Sequence, residues 1–77
     1  MNKDRRNRLS GVIDTIADAI SELEEIRDEE QDALDSLPES LQYSSKGEMM
    51  QEYIDDMESV MSDMENVQES IQEIIDK

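Results

Sequence analysis

The chain has 77 residues and a strong charge imbalance, because 22 Asp and Glu residues oppose seven Lys and Arg residues and give a formal net charge of -15. Hydrophobic residues make up 35% of it and two residues are aromatic, so a large core is excluded and burial barely offsets the entropy of ordering the chain. The absence of Cys and His excludes disulfides, thiolate metal sites, a histidine base and the Glu-x-x-His motif of di-iron bundles. We therefore expect one domain that is not an enzyme, has no catalytic residue, cofactor or metal, and needs a second copy for stability.

The longest apolar run is two residues, which is too short for a membrane span or for the core of a signal peptide. We therefore expect a cytoplasmic protein that does not contact membranes. The charge is divided unevenly, since residues 1–8 are basic and almost all the acids follow them. An acidic body of this kind repels phosphate, so direct binding of nucleic acid is not expected.

Residues 1–8 form a basic head that contains Lys3, Arg5, Arg6 and Arg8 together with Asp4. Cations oppose the macrodipole at a helix N-terminus, so these side chains are badly placed for the first helix alone. In an antiparallel hairpin the basic head lies beside the acidic end of the second helix, which carries Glu69, Glu73 and Asp76. We prefer this structural pairing to the alternative, an arm that binds phosphate.

A first helix is predicted over residues 9–36, where apolar residues recur at steps of three and four. This apolar face contains two overlapping heptad seams, one through Ile13 and the other through Val12, so it is wider than a two-stranded coiled coil needs. Pro38 removes a backbone donor and disfavours helical angles at the preceding residue. The helix is therefore expected to stop near Ser36.

Residues 37–45 are expected to connect two helices. At the end of this connector, Ser45 and Glu48 fit the S-x-x-E capping box, in which the two side chains satisfy free amides at a helix start. Leu41 and Tyr43 are apolar residues within the connector. Their preferred role is to fold back and close the end of the bundle, and contact with a partner is the alternative.

A second helix is predicted over residues 46–76, because its apolar residues alternate steps of three and four without interruption. These residues are Met50, Tyr53, Met57, Val60, Met64, Val67, Ile71 and Ile74. Methionine is frequent in the first half of this helix, where flexible thioethers either fill an irregular core or line an adaptable partner groove. Core filling is the preferred interpretation for Met49, Met50, Met57, Met61 and Met64.

The predicted fold is all-α, an antiparallel two-helix hairpin that resembles a coiled coil. With the turn near residues 41 and 42, facing residues have numbers that sum to about 83, which places Leu23 against Val60. A single hairpin leaves the second seam of each helix exposed to water, so we expect two copies to form a homodimeric four-helix bundle. The residues expected in this core and dimer interface are Ile16, Ile20, Leu23, Met57, Val60, Met64 and Val67.

Polar residues interrupt the apolar faces. The expected register places Glu30 opposite Tyr53 and Arg27 near Asp56, and these contacts would form a polar layer that fixes the register. An acid–base site at this position is not supported, because neither a His, nor a metal set, nor a concave pocket accompanies the carboxylates.

The acidic surface is the main candidate for function. Helix 1 carries a row of carboxylates at steps of three and four, which we call the acidic stripe: Asp14, Asp18, Glu22, Glu25, Glu29 and Asp32. Carboxylates four residues apart rise about 6 Å along a helix, which is comparable to the phosphate spacing along one nucleic-acid strand. The stripe could therefore occupy a basic groove built for nucleic acid. The alternative is a solvated face that keeps a small bundle dispersed, although such faces usually mix both signs of charge.

The order of these segments resembles small acidic helical proteins encoded by bacteriophages and prophages. The resemblance covers nearly the whole chain and includes residues 27–31 (Arg-Asp-Glu-Glu-Gln), 37–42 (Leu-Pro-Glu-Ser-Leu-Gln) and 46–50 (Lys-Gly-Glu-Met-Met). It implies a bacterial cytoplasm and a role between phage and host, where similar proteins inhibit host enzymes or defence complexes by mimicking DNA. It implies no residue roles.

One function is preferred and a second is kept as its alternative. The first is a stoichiometric inhibitor that mimics nucleic acid and binds the basic surface of a host nucleic-acid-binding or defence protein through the acidic stripe. The second is a structural or adaptor bundle, such as a phage assembly or scaffold component, that binds through its apolar seam or its connector.

Overall fold

A computed structural model describes residues 1–77 as three helices and no strands. They are α1 (Lys3–Asp35), α2 (Glu39–Gln42) and α3 (Ser45–Asp76). The two long helices pack against each other along their length, and the Cα atoms span 59 × 15 × 11 Å. The all-helical hairpin predicted from the apolar periodicity is therefore confirmed. No helix contains a hydrophobic stretch sufficient to span a membrane.

The first helix begins earlier than the apolar pattern does, so the basic head is helical from Lys3 onward. Asn2 is the N-cap, and its side chain accepts a hydrogen bond of 2.9 Å from the Arg5 backbone N–H. This cap satisfies one of the free amides of the first turn. At the other end α1 stops at Asp35 and Ser36 is the C-cap, because Pro38 disfavours a continuing helix.

The turn between the long helices contains α2, a single helical turn of four residues. The N-cap of α3 is Ser44, and its hydroxyl donates to the Leu41 carbonyl rather than accepting from α3. The predicted capping box is wrong, since Ser45 is already the first residue of the helix and makes no hydrogen bond to Glu48.

Gly47 allows the turn and α3 to approach each other closely. A Cβ atom at this position would overlap the Gln42 carbonyl and would lie 2.8 Å from the Leu41 carbonyl oxygen. Both neighbours are backbone atoms and cannot rotate away. The face of α3 that contains Gly47 must therefore point toward the turn, which helps to set which α3 residues face α1.

The core is a single seam between α1 and α3. Its buried apolar residues are Ile20, Leu34, Met50, Ile54 and Met61, and Ile54 is the most buried at 2% exposure. Leu34, Met50 and Ile54 form one cluster against which Leu37 packs. Half-buried residues continue the seam at steps of three and four on both helices.

This burial pattern corrects the expected register by one residue. Facing residues have numbers that sum to about 84 rather than 83, so Leu23 faces Met61 and not Val60, which is 47% exposed. For the same reason Ile16 faces Gln68 rather than Val67. The seam residue Gln68 donates from Nε2 to the Ile13 carbonyl at 3.1 Å, which is a contact between the two long helices.

Candidate interaction surfaces

In the heptad notation, residues that face the partner helix occupy positions a and d, and the residues that flank them occupy positions e and g. In an antiparallel pair the e positions of both helices lie on one side of the hairpin, which we call the e side, and the g positions lie on the other, which we call the g side. The structure shows the e side directly, because Glu24 and Glu65 line the same shallow hollow with Arg27 and Glu58. The g side is therefore the opposite side, and the outward faces of the helices lie between the two.

The acidic stripe lies on the outward face of α1, and all six of its carboxylates are exposed. From Asp14 to Asp32 it extends about 27 Å along the helix axis. None of its members takes part in an ion pair. The residues singled out from the sequence are thus brought into one continuous row that is open to solvent.

Unpaired negative charge is the dominant property of the whole surface. The chain forms three ion pairs, which use the carboxylates of Asp4, Asp28 and Glu58. The other nineteen of the 22 carboxylates have no cation within 4.0 Å. Glu30 is half-buried at the seam, and the other carboxylates are exposed. A surface of this kind attracts cationic partners over long distances.

The basic head does not pair with the end of α3 as expected. Its one ion pair joins Arg8 to Asp4 at 4.0 Å within α1, and no ion pair with Glu69, Glu73 or Asp76 is formed. The reason is that these acids are exposed on the outward face of α3 rather than turned toward α1. Cations therefore remain available at this end of the hairpin.

The expected polar layer is also wrong. Arg27 pairs with Asp28 at 3.1 Å and with Glu58 at 3.9 Å on the e side, so it does not reach Asp56. Tyr53 is 52% exposed and its hydroxyl makes no hydrogen bond to Glu30. The one-residue change of register explains both errors, since it moves Tyr53 and Asp56 away from the seam.

Most of the predicted core residues lie in the seam of the hairpin. Ile20 is buried, and Ile16, Leu23, Met57 and Met64 are half-buried. The methionines behave largely as core filling, because Met50 and Met61 are also buried, whereas Met49 is 48% exposed.

The g side carries a row of exposed apolar residues. We call it the apolar stripe; it consists of Val12, Ala19, Ile26 and Ala33 on α1 and Tyr53, Val60, Val67 and Ile74 on α3. Its α1 half belongs to the second seam, which a single hairpin was expected to leave exposed, whereas Val60 and Val67 of its α3 half were expected in the core. Its six larger side chains are 42–52% exposed. The members recur every seven residues on both helices, and this spacing is the signal that could have identified them as one surface.

The connector residues do not close the end of the bundle. Leu41 is 44% exposed and Tyr43 is 81% exposed, which overturns the preferred interpretation that they fold back. The hairpin ends instead on Leu37, which packs against the cluster of Leu34, Met50 and Ile54.

The carboxylates lie in rows, and no group of three or more converges where a metal ion could bind. No family model, curated protein or solved structure matches this chain. Two surfaces of the hairpin are distinctive, the acidic stripe and the apolar stripe, and they lie on different sides of the same rod.

Proposed function

We propose that this protein is a stoichiometric inhibitor that mimics nucleic acid and occupies the basic surface of a nucleic-acid-binding or defence protein. The observation that carries the proposal is the acidic stripe: six exposed carboxylates in one row, none of them paired. In a bacterial cytoplasm, which the resemblance to phage-encoded proteins implies, the target would be a host protein.

The charge per unit length supports this proposal. A net charge of -15 over a rod of 59 Å corresponds to about one charge per 4 Å, close to the 3.4 Å per charge of a single nucleic-acid strand. A basic groove that tracks phosphates would therefore meet a similar linear density of negative charge on this protein.

Rigidity supports it as well. The acidic stripe lies within one uninterrupted helix of 33 residues whose opposite face packs on α3. Its carboxylates keep their spacing without a cost in backbone entropy when a partner binds. A disordered acidic tail of equal charge would have to be ordered first.

A solvated face without a binding role explains the stripe less well. Such faces gain stability by mixing signs at positions three or four residues apart, yet only one of the three ion pairs, Arg8 with Asp4, has this spacing. Repulsion among unpaired carboxylates destabilises the compact state. A binding role for the negative charge explains why the protein retains these carboxylates despite their repulsion.

The test is affinity capture from a bacterial lysate with the tagged protein as bait. Proteins held at low salt are challenged with about 0.5 M salt and, separately, with free duplex DNA. Nucleic-acid-binding proteins released by both challenges would support mimicry. A partner that resists salt and ignores DNA would refute it. The control bait carries Glu22, Glu25 and Glu29 replaced by Lys, and it should retain helicity but hold no such partner.

The second candidate function is a structural or adaptor bundle, and the apolar stripe is the observation that favours it. Large exposed apolar patches mark interaction sites. Under this function Val60→Glu should abolish partner binding, whereas salt and reversal of the acidic stripe should change it little.

A homodimeric four-helix bundle is compatible with the first function, because it leaves the acidic stripe open, whereas under the second function the partner would take the place of the second copy on the apolar stripe. A single hairpin leaves the apolar stripe exposed, and face-to-face packing of two copies would cover it.

A further inference from the structure

We infer that two copies pack apolar stripe to apolar stripe with their long axes reversed, so that the turn of one lies beside the basic head of the other. The inference deepens the proposed four-helix bundle by fixing its face and its direction. The occupant of the apolar stripe is a second copy of this chain.

The available area meets what a dimer requires. Six large side chains at 42–52% exposure, with two alanines between them, offer on the order of 500 Å² per copy, so a pair would bury roughly the 1,000 Å² at which specific interfaces begin. The e side offers no comparable surface, because it is lined by Glu24, Glu58 and Glu65 around Arg27.

The order of large and small residues selects the reversed direction. Across the hairpin, the members of the apolar stripe lie in four rungs: Val12 with Ile74, Ala19 with Val67, Ile26 with Val60, and Ala33 with Tyr53. With the axes reversed, the first rung meets the fourth and the second meets the third. Every layer of the interface then contains one Ala and three larger side chains, which allows uniform packing.

The opposite choice packs poorly. If both copies pointed the same way, each rung would meet itself, and the layers would alternate between no alanine and two. Such an interface would be overfilled at the rung of Ile26 and Val60 and underfilled at the rung of Ala19 and Val67. Both overpacking and voids are destabilising.

Charge also selects the reversed direction. The open end of the hairpin is close to neutral, because Lys77 and the four cations of the basic head lie among Asp4 and the acids of the end of α3, Glu69, Glu73 and Asp76. The turn end is acidic, with seven carboxylates and one lysine between residues 29 and 52. Reversed copies place each acidic turn beside the open end of the other copy, whereas copies that point the same way would place two acidic turns together.

The reversed dimer determines whether the acidic surface resembles a single strand or a duplex, an inference that rests on the proposed mimicry of nucleic acid. It stacks α1 of one copy on α1 of the other, so two acidic stripes run side by side in opposite directions, separated by a helix packing distance of about 10 Å. Two copies double the charge over the same length, to about one charge per 2 Å, which approaches the 1.7 Å of duplex DNA. The surface that fits this dimer is one built for a duplex rather than for a single strand.

Sedimentation equilibrium of the full chain tests the dimer without any partner. We expect a reversible monomer–dimer equilibrium, whose dissociation constant rises on the order of 100-fold in Ala19→Glu, because each dimer would bury two carboxylates without a cation. The matched control is Ala17→Glu, which adds the same charge at an exposed residue on the e side and should leave the constant within about twofold. A monomer at every concentration, or equal effects of both variants, would overturn the inference.

Disulfide trapping tests the direction. The chain has no cysteine, so Val12→Cys and Ala33→Cys each introduce a unique thiol. Oxidation of a mixture should give the disulfide between positions 12 and 33, and neither variant alone should cross-link efficiently. In a mixture of Val12→Cys and Ile74→Cys, a disulfide between positions 12 and 74 of different copies would show that the copies point the same way, because α1 of one copy would then lie on α3 of the other.

The two tests separate the dimer from the function. A reversed dimer that captures no nucleic-acid-binding protein would preserve the assembly and remove mimicry. A captured partner displaced equally well by single-stranded and duplex DNA would remove the duplex-like surface while leaving the dimer intact.

Discussion

Replacing Ile54 by Ala should destabilise the hairpin far more than replacing its neighbour Tyr53 by Ala. Ile54 is 2% exposed and lies in the cluster with Leu34 and Met50, whereas Tyr53 is 52% exposed on the apolar stripe. The comparison tests the observed register directly, because a shift of one residue would exchange the two environments.

The magnitude follows from the groups removed. Ile54→Ala deletes three methyl or methylene groups at about 0.8 kcal/mol each. A small cavity term adds to this loss, and the better helix propensity of Ala offsets part of it. We expect a loss of about 2.5 kcal/mol, at the lower end of the usual range because a thin two-helix core can collapse around the gap. For Tyr53→Ala, partial burial and the gain in propensity nearly cancel, and the change should stay below about 1 kcal/mol.

Urea denaturation followed by circular dichroism at low protein concentration provides the assay. With a slope of about 1 kcal/mol per molar urea for a chain of this size, Ile54→Ala should lower the midpoint by about 2.5 M. At high concentration the effect of Tyr53→Ala should grow, because the dimer would bury that side chain. A greater loss for Tyr53→Ala than for Ile54→Ala at low concentration would refute the register.

Two further predictions concern the glycines and the charge. Gly11→Ala should stabilise the protein by about 0.5–1 kcal/mol, since the new Cβ would meet nothing within 4 Å. Gly47→Ala should instead destabilise it by about 2 kcal/mol or more, because the new Cβ would overlap backbone carbonyls. Thermal denaturation of both variants checks this contrast, and equal effects would contradict it. Raising NaCl from about 20 mM to about 500 mM should raise the thermal midpoint by several degrees and strengthen dimerisation, because salt screens the repulsion among unpaired carboxylates. A midpoint that falls with salt would show that the few ion pairs outweigh this repulsion.

The sequence was sufficient for the helices and the turn but not for the register. Apolar steps of three and four and Pro38 predict a hairpin with nearly the observed bounds. On α3, however, two seams differ by one residue, and periodicity alone cannot tell whether Tyr53 or Ile54 faces inward. The close approach of Gly47 to the turn decides between them, and a close approach of this kind exists only in three dimensions.

The same limit explains the other corrections. Ser44 and Ser45 are adjacent and equally suited to cap a helix, so an error of one residue in the predicted N-cap of α3 made the capping box wrong. The α3 half of the apolar stripe was merged with the core because a wide apolar face does not reveal which part of it the partner helix covers. The position of the acidic stripe could be predicted without the register between the helices, because the period of α1 alone places these residues on its outward face.

The most direct measurement of the central claim is the affinity of the captured partner for two variants with equal charge. One carries Glu22, Glu25 and Glu29 replaced by Lys on the acidic stripe. The other carries Glu65, Glu69 and Glu73 replaced by Lys, three exposed residues of α3. If the acidic stripe is the binding surface, the first should weaken binding at least about 100-fold and the second by less than about tenfold at the same salt concentration. Equal losses would show that net charge alone attracts the partner, and unchanged affinity in the first variant would contradict mimicry by the acidic stripe.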